Sequence, residues 1–220
     1  MDRIMVEFLY KPGLKNPFLI EGLPGIGDVG LNVAKTLISE FRARPFARII
    51  SSFLPDIVVV EDGICRLPTY VFYATKEVKP NLIILTGDVQ PPRDNTVAHY
   101  ELCESVIELA LRLGVKAVVS VGGFLMPTPS EDVFVAYGSR ALAEKFLTAG
   151  AKLLPPTHIV GATGLIPAMA ADRGLEAVCL LGACSTPVND RGASARTLRV
   201  LSRALGLGRE GLSKAPRPST

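Results

Sequence analysis

The sequence has no tryptophan, only two histidines and, in Gln90, a single glutamine. Each shortage removes a class of function. No aromatic residues alternate with Lys or Arg, so there is no stacking surface for a single nucleic-acid strand. His99 and His158 stand far apart and in no motif of the H-E-x-x-H kind, so a zinc site is not expected. The four cysteines, Cys65, Cys103, Cys179 and Cys184, form no C-x-x-C pair, and Cys103 and Cys179 lie inside apolar periodic segments. They are read as buried, reduced thiols. No apolar run reaches the roughly 18 residues that would span a bilayer. Met1 to Glu7 carries an early acid and no long apolar core, unlike a signal peptide. Lys and Arg number 24 against 21 Asp and Glu, a net charge of +3, and part of the excess sits at Arg209, Lys214 and Arg217. That is no nucleic-acid footprint. A soluble, cytoplasmic protein with neither nucleic-acid nor membrane partner is expected. Few amide side chains lean toward a thermophilic source.

What is present is a core. Hydrophobic residues make up 48% of 220 and charged residues 20%, enough for one substantial globular domain. We expect that domain over residues 1–206 and a flexible tail over 207–220. Pro17 to Ile20 reads as a strand, and Leu31 to Phe41 places its apolar residues at helical spacing. Ala47 to Phe53 reads as a second strand. Ile57 to Glu61 and Ile64 to Pro68 flank Asp62-Gly63, a strong hairpin signal because a type I′ turn needs φ > 0 twice. The hairpin segment, Ile57 to Ala74, either adds antiparallel strands at an edge or projects as a platform. Thr69 to Ala74 follows as a strand. Leu82 to Thr86 and Ala117 to Val121 are continuous apolar runs, as expected of strands covered on both faces; the second is closed by Gly122-Gly123. Further helices are expected over Val97 to Leu113, between Ser139 as cap and Gly150 as stop, over Leu165 to Arg173, and over Ala193 to Leu205. Strands are expected at Val133 to Tyr137 and Ala177 to Leu181. Strands alternating with helices predict a three-layer α/β/α fold around a mostly parallel or mixed sheet.

Gly25-Ile26-Gly27-Asp28-Val29-Gly30 is a literal G-x-G-x-x-G between a strand and a helix, the setting in which such a motif cradles a pyrophosphate. Two features argue against that use. A dinucleotide fold places an acid about 20 residues beyond the glycines, where this chain reads Ile49-Ile50-Ser51-Ser52-Phe53, and Leu23-Pro24 intervenes between strand and motif. The glycines would equally serve a tight turn and close helix packing. Four glycine-containing segments are expected at the strand C-terminal edge: Gly25 to Asp28, Gly87-Asp88, Gly122-Gly123 and Gly161 to Gly164. Gly25, Gly27, Asp28, Asp88, Gly122, Gly123 and Thr163 are the candidates for an anion or carboxylate pocket. Asp28 and Asp88 are either a base or cation ligand, or a helix cap and a turn-ordering residue. Arg191 and Arg196 are read as solvated rather than anion-binding. No G-x-S-x-G elbow accompanies any serine, and no catalytic, metal or cofactor-binding residue is assigned.

Taken as a series, several segments resemble the PAC2 family of proteasome assembly chaperones and their archaeal relatives. They are Leu19 to Gly30, Val59 to Gly63, Leu85 to Pro91, His99 to Leu102, Val121 to Phe124, Gly161 to Leu165 and Leu180 to Gly182. The resemblance implies a phosphorylase/hydrolase-like α/β/α fold and a non-enzymatic role, escorting proteasome α subunits with no cofactor. It also implies self-association beyond a dimer. Partner contact through exposed apolar residues of the hairpin region, such as Ile57 and Tyr73, would then replace a reactive pocket. Asp88→Asn should leave such a chaperone nearly intact and abolish an enzyme. Some relatives dock through a C-terminal hydrophobic-Tyr-any tripeptide; this sequence reads Pro218-Ser219-Thr220, so that mode is not carried over. Ala183 to Pro187 also lacks the acidic residue expected beside Gly182. The alternative is a small-molecule-binding protein or enzyme built on the glycine loops.

Overall fold

Hydrophobic runs too short for long helices and punctuated by glycine build a nine-stranded mixed sheet in the computed structural model, which describes residues 3–126, 128 and 130–208. In chain order the elements are β1 (Ile4–Phe8), β2 (Phe18–Glu21), α1 (Val29–Glu40), β3 (Arg44–Ser51), β4 (Val59–Glu61), β5 (Ile64–Arg66), β6 (Thr69–Thr75), β7 (Leu82–Gly87), α2 (Thr96–Arg112), β8 (Ala117–Leu125), β9 (Val133–Tyr137), α3 (Arg140–Thr148), β10 (Lys152–Leu153), α4 (Ala162–Asp172), β11 (Glu176–Cys184) and α5 (Arg191–Leu205). The sheet order is β1-β3-β6-β7-β2-β8-β11-β9-β10. Its centre, β7-β2-β8-β11, is parallel. The pairs β1–β3, β3–β6 and β6–β7 are antiparallel on one side, and β11–β9 on the other.

Alternate residues of each central strand enter opposite layers. Ile20, Ile84 and Val119 pack with α1, α3 and α5. Leu19, Ile83 and Val118 pack with α2 and α4. This is why the runs at 82–86 and 117–121 are apolar at every position. Asn95 caps α2 by accepting from the Ala98 amide at 3.1 Å, and Asp190 caps α5 by accepting from Ala193 at 2.9 Å. Among the described residues no helix is long and apolar enough to cross a membrane.

The hairpin forms, with Asp62 at φ 50° and Gly63 at φ 79°. The segment 57–74 divides between the two placements foreseen: β4 and β5 make a separate ribbon outside the main sheet, while β6 pairs antiparallel with β3 and β7, within the sheet rather than at its edge. Other expectations need correction. Gly122 and Gly123 do not close β8; the strand runs through them to Leu125, pairing Leu181 and Gly182 of β11. Ser139 precedes α3 but its side chain makes no capping bond. Cys65 is exposed on β5, not buried. Strands β1 and β10, at the two edges, lie outside the expected set. β3 begins earlier than expected because a register shift between Pro45 and Ala47 accommodates the proline. Leu207 packs into the core beside α5. The expected tail beyond it, residues 209–220, lies outside the described residues.

Candidate functional site

The glycine-rich segments meet at the C-terminal edge of the parallel strands, and what they meet is protein. Gly25 precedes a 3-10 turn, Ile26–Asp28, from which α1 starts. Gly27, at φ 63°, donates its amide to Pro187 O at 2.8 Å, while its own carbonyl accepts from Asp190 N at 2.8 Å. The amide that a phosphate loop would turn toward an anion is thus taken by the segment before α5. Asp28 accepts from the Asn189 amide at 3.3 Å and makes no side-chain cap on α1. A methyl group on Gly30 would meet Val121 O, and one on Gly123 would meet Ile26 O. Gly122 lies against Thr163, whose methyl would stand 2.8 Å from a Cβ there. Gly30 and Gly123 let helix α1 and the turn before it lie directly on β8, and Gly122 admits the start of α4.

Gln90 knits the edge together. Its Nε2 donates to Pro24 O at 2.6 Å, and its Oε1 accepts from the Ala162 amide at 3.1 Å. A side chain 72 residues away therefore caps α4, whose own N-cap, Gly161, has no side chain to do so. Arg196, read as solvated, instead donates to Ala183 O at 3.1 Å from a half-buried position.

Asp88 does more than order its own turn. It accepts from both terminal nitrogens of Arg66, at 2.7 and 2.9 Å, and from the Thr69 amide at 2.8 Å. Arg66 also grips Glu61 across the ribbon, at 2.9 Å. Burial alone would raise the Asp88 carboxyl, but the Arg66 and Thr69 hydrogen bonds outweigh it and hold it below the usual carboxylate range. Asp88 thus ties the hairpin to the end of β7. Its replacement would loosen the hairpin's attachment as well as remove a carboxylate, so Asp88→Asn alone does not separate the two functional classes.

Glu21 is the buried acid that no motif singled out. It closes β2, wholly enclosed, beside its register partner Ser120 on β8 and one strand from Cys179. Oε1 accepts from the Leu23 amide at 2.8 Å; Oε2 and the Ser120 hydroxyl have no hydrogen-bond partner. Burial pushes the carboxyl up to about 7, against the smaller opposing pull of the Leu23 amide. Burial likewise pushes the Cys103 thiol up to about 12, with Glu21 adding in the same sense, so this thiol is unreactive.

The structure brings Gly25, Gly122 and Thr163 to one region around Gln90 and keeps Gly27, Gly123 and Asp28 against the segment before α5. Asp88 stands with the hairpin. An open groove of about 510 Å³ between β9 and α4, lined by Tyr137, Ile159, Pro167, Ala171, Asp172 and Cys179 among others, contains none of these candidates. Ile57 is exposed beside the ribbon, whereas Tyr73 belongs to β6 and is half-buried against the core. Sequence reasoning missed Arg66 and Gln90, whose roles lie in contacts 22 and 72 residues distant. Glu21 had a signal: an acid ending an otherwise apolar central strand.

Three comparisons place this arrangement among known proteins. The model of the PAC2 family matches residues 19–210. An uncharacterised protein of Methanocaldococcus jannaschii, MJ1210, is 35% identical over 180 residues, 77% of this chain and 66% of that protein, a little under two thirds of its length. Pyrococcus furiosus PbaB, described as an archaeal proteasome activator, superposes with a TM-score of 0.88 at 27% identity, over 96% of this chain and 92% of PbaB. Pyrococcus furiosus PbaA, an archaeal homologue of proteasome-assembly chaperone, gives 0.78 at 26% identity, over 94% and 85%. With its sheet order, its glycine-packed edge and these matches together, the chain belongs to the PAC2 family.

Proposed function

We propose that this protein is a non-enzymatic, proteasome assembly chaperone-like protein that binds proteasome α subunits through protein–protein contacts and associates with copies of itself. The observation that carries this reading is the distribution of exposed apolar side chains. Ile26, Val97, Tyr100, Leu125, Val160 and Val188 are exposed on the loops, the β8 end and the helix starts around the sheet's C-terminal edge, and further ones stand on the adjoining hairpin. Clustered exposed apolar residues mark interaction surfaces. At the same edge, the glycines that suggested a ligand pocket serve close packing, and the Gly27 amide is already engaged. The relationship to PbaA and PbaB supports a proteasome-related partner.

The test is to mix the purified protein with dissociated proteasome α subunits from the same source and to measure mass by light scattering after size exclusion. A complex of defined stoichiometry at micromolar concentration is expected. Free components eluting separately at that concentration would count against the reading.

A further inference from the structure

An isolated two-stranded ribbon is marginally stable in water, yet this one holds a run of apolar side chains in solvent. Ile57, Val58, Val60, Ile64 and Leu67 are 44%, 55%, 61%, 72% and 53% exposed. None of them is needed by the main sheet, which β4 and β5 do not join. What fixes the ribbon is the ion cluster at its base: Arg66 bridges Glu61 on the facing strand and Asp88 at the end of β7, and Asp88 also binds the Thr69 amide. Bidentate guanidinium–carboxylate geometry sets orientation as well as attachment. The fold therefore presents an apolar ribbon in a defined pose.

The charge around it is one-sided. Within residues 54–68, Asp56, Glu61 and Asp62 are exposed, while that segment's one cation, Arg66, is engaged by Glu61 and Asp88. On a chain of net charge +3, this is a locally acidic projection. A symmetric contact between two such ribbons would set the acids of one against those of the other, which disfavours a second copy's hairpin as the occupant.

We infer that the hairpin is the docking element for a protein partner whose surface offers apolar side chains flanked by lysine or arginine, and that Asp88 and Arg66 are its positioning residues. This rests on the protein-binding reading above and names the chemistry of the partner. Apolar anchors supply the affinity, and the acids supply orientation and a salt-sensitive association rate.

Cys65 is the one exposed cysteine, the other three being buried, so a small environment-sensitive fluorophore can be placed on the hairpin of the full chain. The probes are dissociated proteasome α subunits, an amphipathic leucine–lysine peptide and its leucine–glutamate counterpart. Val60→Ser combined with Ile64→Ser removes apolar surface without altering charge, and should weaken subunit binding about tenfold or more. The lysine peptide should shift the label's emission, the glutamate peptide should not, and salt should diminish the response. Asp88→Asn should lower the label's fluorescence anisotropy and weaken binding while circular dichroism stays that of the parent, a signature that separates pose from folding. Subunits bound equally by parent and double variant would overturn the hairpin assignment and leave the chaperone reading standing. Subunits left unbound, with a response to the lysine peptide alone that the double variant lacks, would sink the proteasome reading and sustain the hairpin. With subunits unbound, equal responses to both peptides or to neither would overturn the hairpin too.

Discussion

At neutral pH the Glu21 carboxyl is poised between its protonation states, because burial lifts it from its ordinary 4.5 to about 7. In the unfolded chain it ionises at the ordinary value, so between the two the folded protein holds the extra proton. The stability that Glu21 contributes is greatest below the unfolded value, falls as pH rises toward 7 and levels off above it. A shift of this size corresponds to about 3 kcal/mol. Glu21→Gln keeps the acceptor for the Leu23 amide and removes the titration. Urea unfolding of the variant should therefore show its greatest advantage over the parent at pH 8, and the least at pH 4. A difference between parent and variant that is the same at pH 4 and pH 8 would refute the assignment. Two glycines separate conformation from crowding. Gly63 needs φ 79° and has open space around it, so Gly63→Ala should cost about 1 kcal/mol through backbone strain alone. Gly123 has no such φ but lies on Ile26 O, so Gly123→Ala should cost about 3 kcal/mol because backbone must move. Denaturant midpoints of the two variants check that order.

At the level of elements, α4 depends on a cap it does not contain. Gln90→Ala removes both the Pro24 and Ala162 bonds and should destabilise the protein by about 1–2 kcal/mol. Hydrogen exchange should accelerate first at the α4 N-terminus; uniform acceleration across the sheet would contradict a capping role. Elements with a local physical signature were legible in sequence. The doubly covered strands β7 and β8 read as unbroken apolar runs, and Asp62-Gly63 announced the ribbon because few pairs tolerate φ > 0 twice. The strands at the edges were not, since Ile4–Phe8 lacks clean alternation and Lys152–Leu153 is too short to carry a period. Gly122-Gly123 misled because glycine in a strand reads as an end, whereas here it admits a neighbouring backbone. The Arg66–Asp88 pair left no local trace at all: each residue alone is an ordinary polar group beside a turn.

For the molecule as a whole, alternating strands and helices foretold three layers, and the order of strands came only with the structure. β2 lies between β7 and β8, partners more than 60 and nearly 100 residues later, and such pairings are set by which apolar faces must be covered, not by neighbouring sequence. The two outer strands of that order are unequal. β10 is two residues long and runs into Leu154-Pro155-Pro156, so it offers little ladder to a newcomer. β1 is five residues long and, among the described residues, has no strand paired on its outer side, with Met5 and Phe8 exposed. Of the two outer strands among the described residues, only β1 is long enough to offer a ladder for strand addition. Two copies meeting there would satisfy each other and present only their blunt ends outward, so growth by this route closes at a pair and cannot propagate into a fibre.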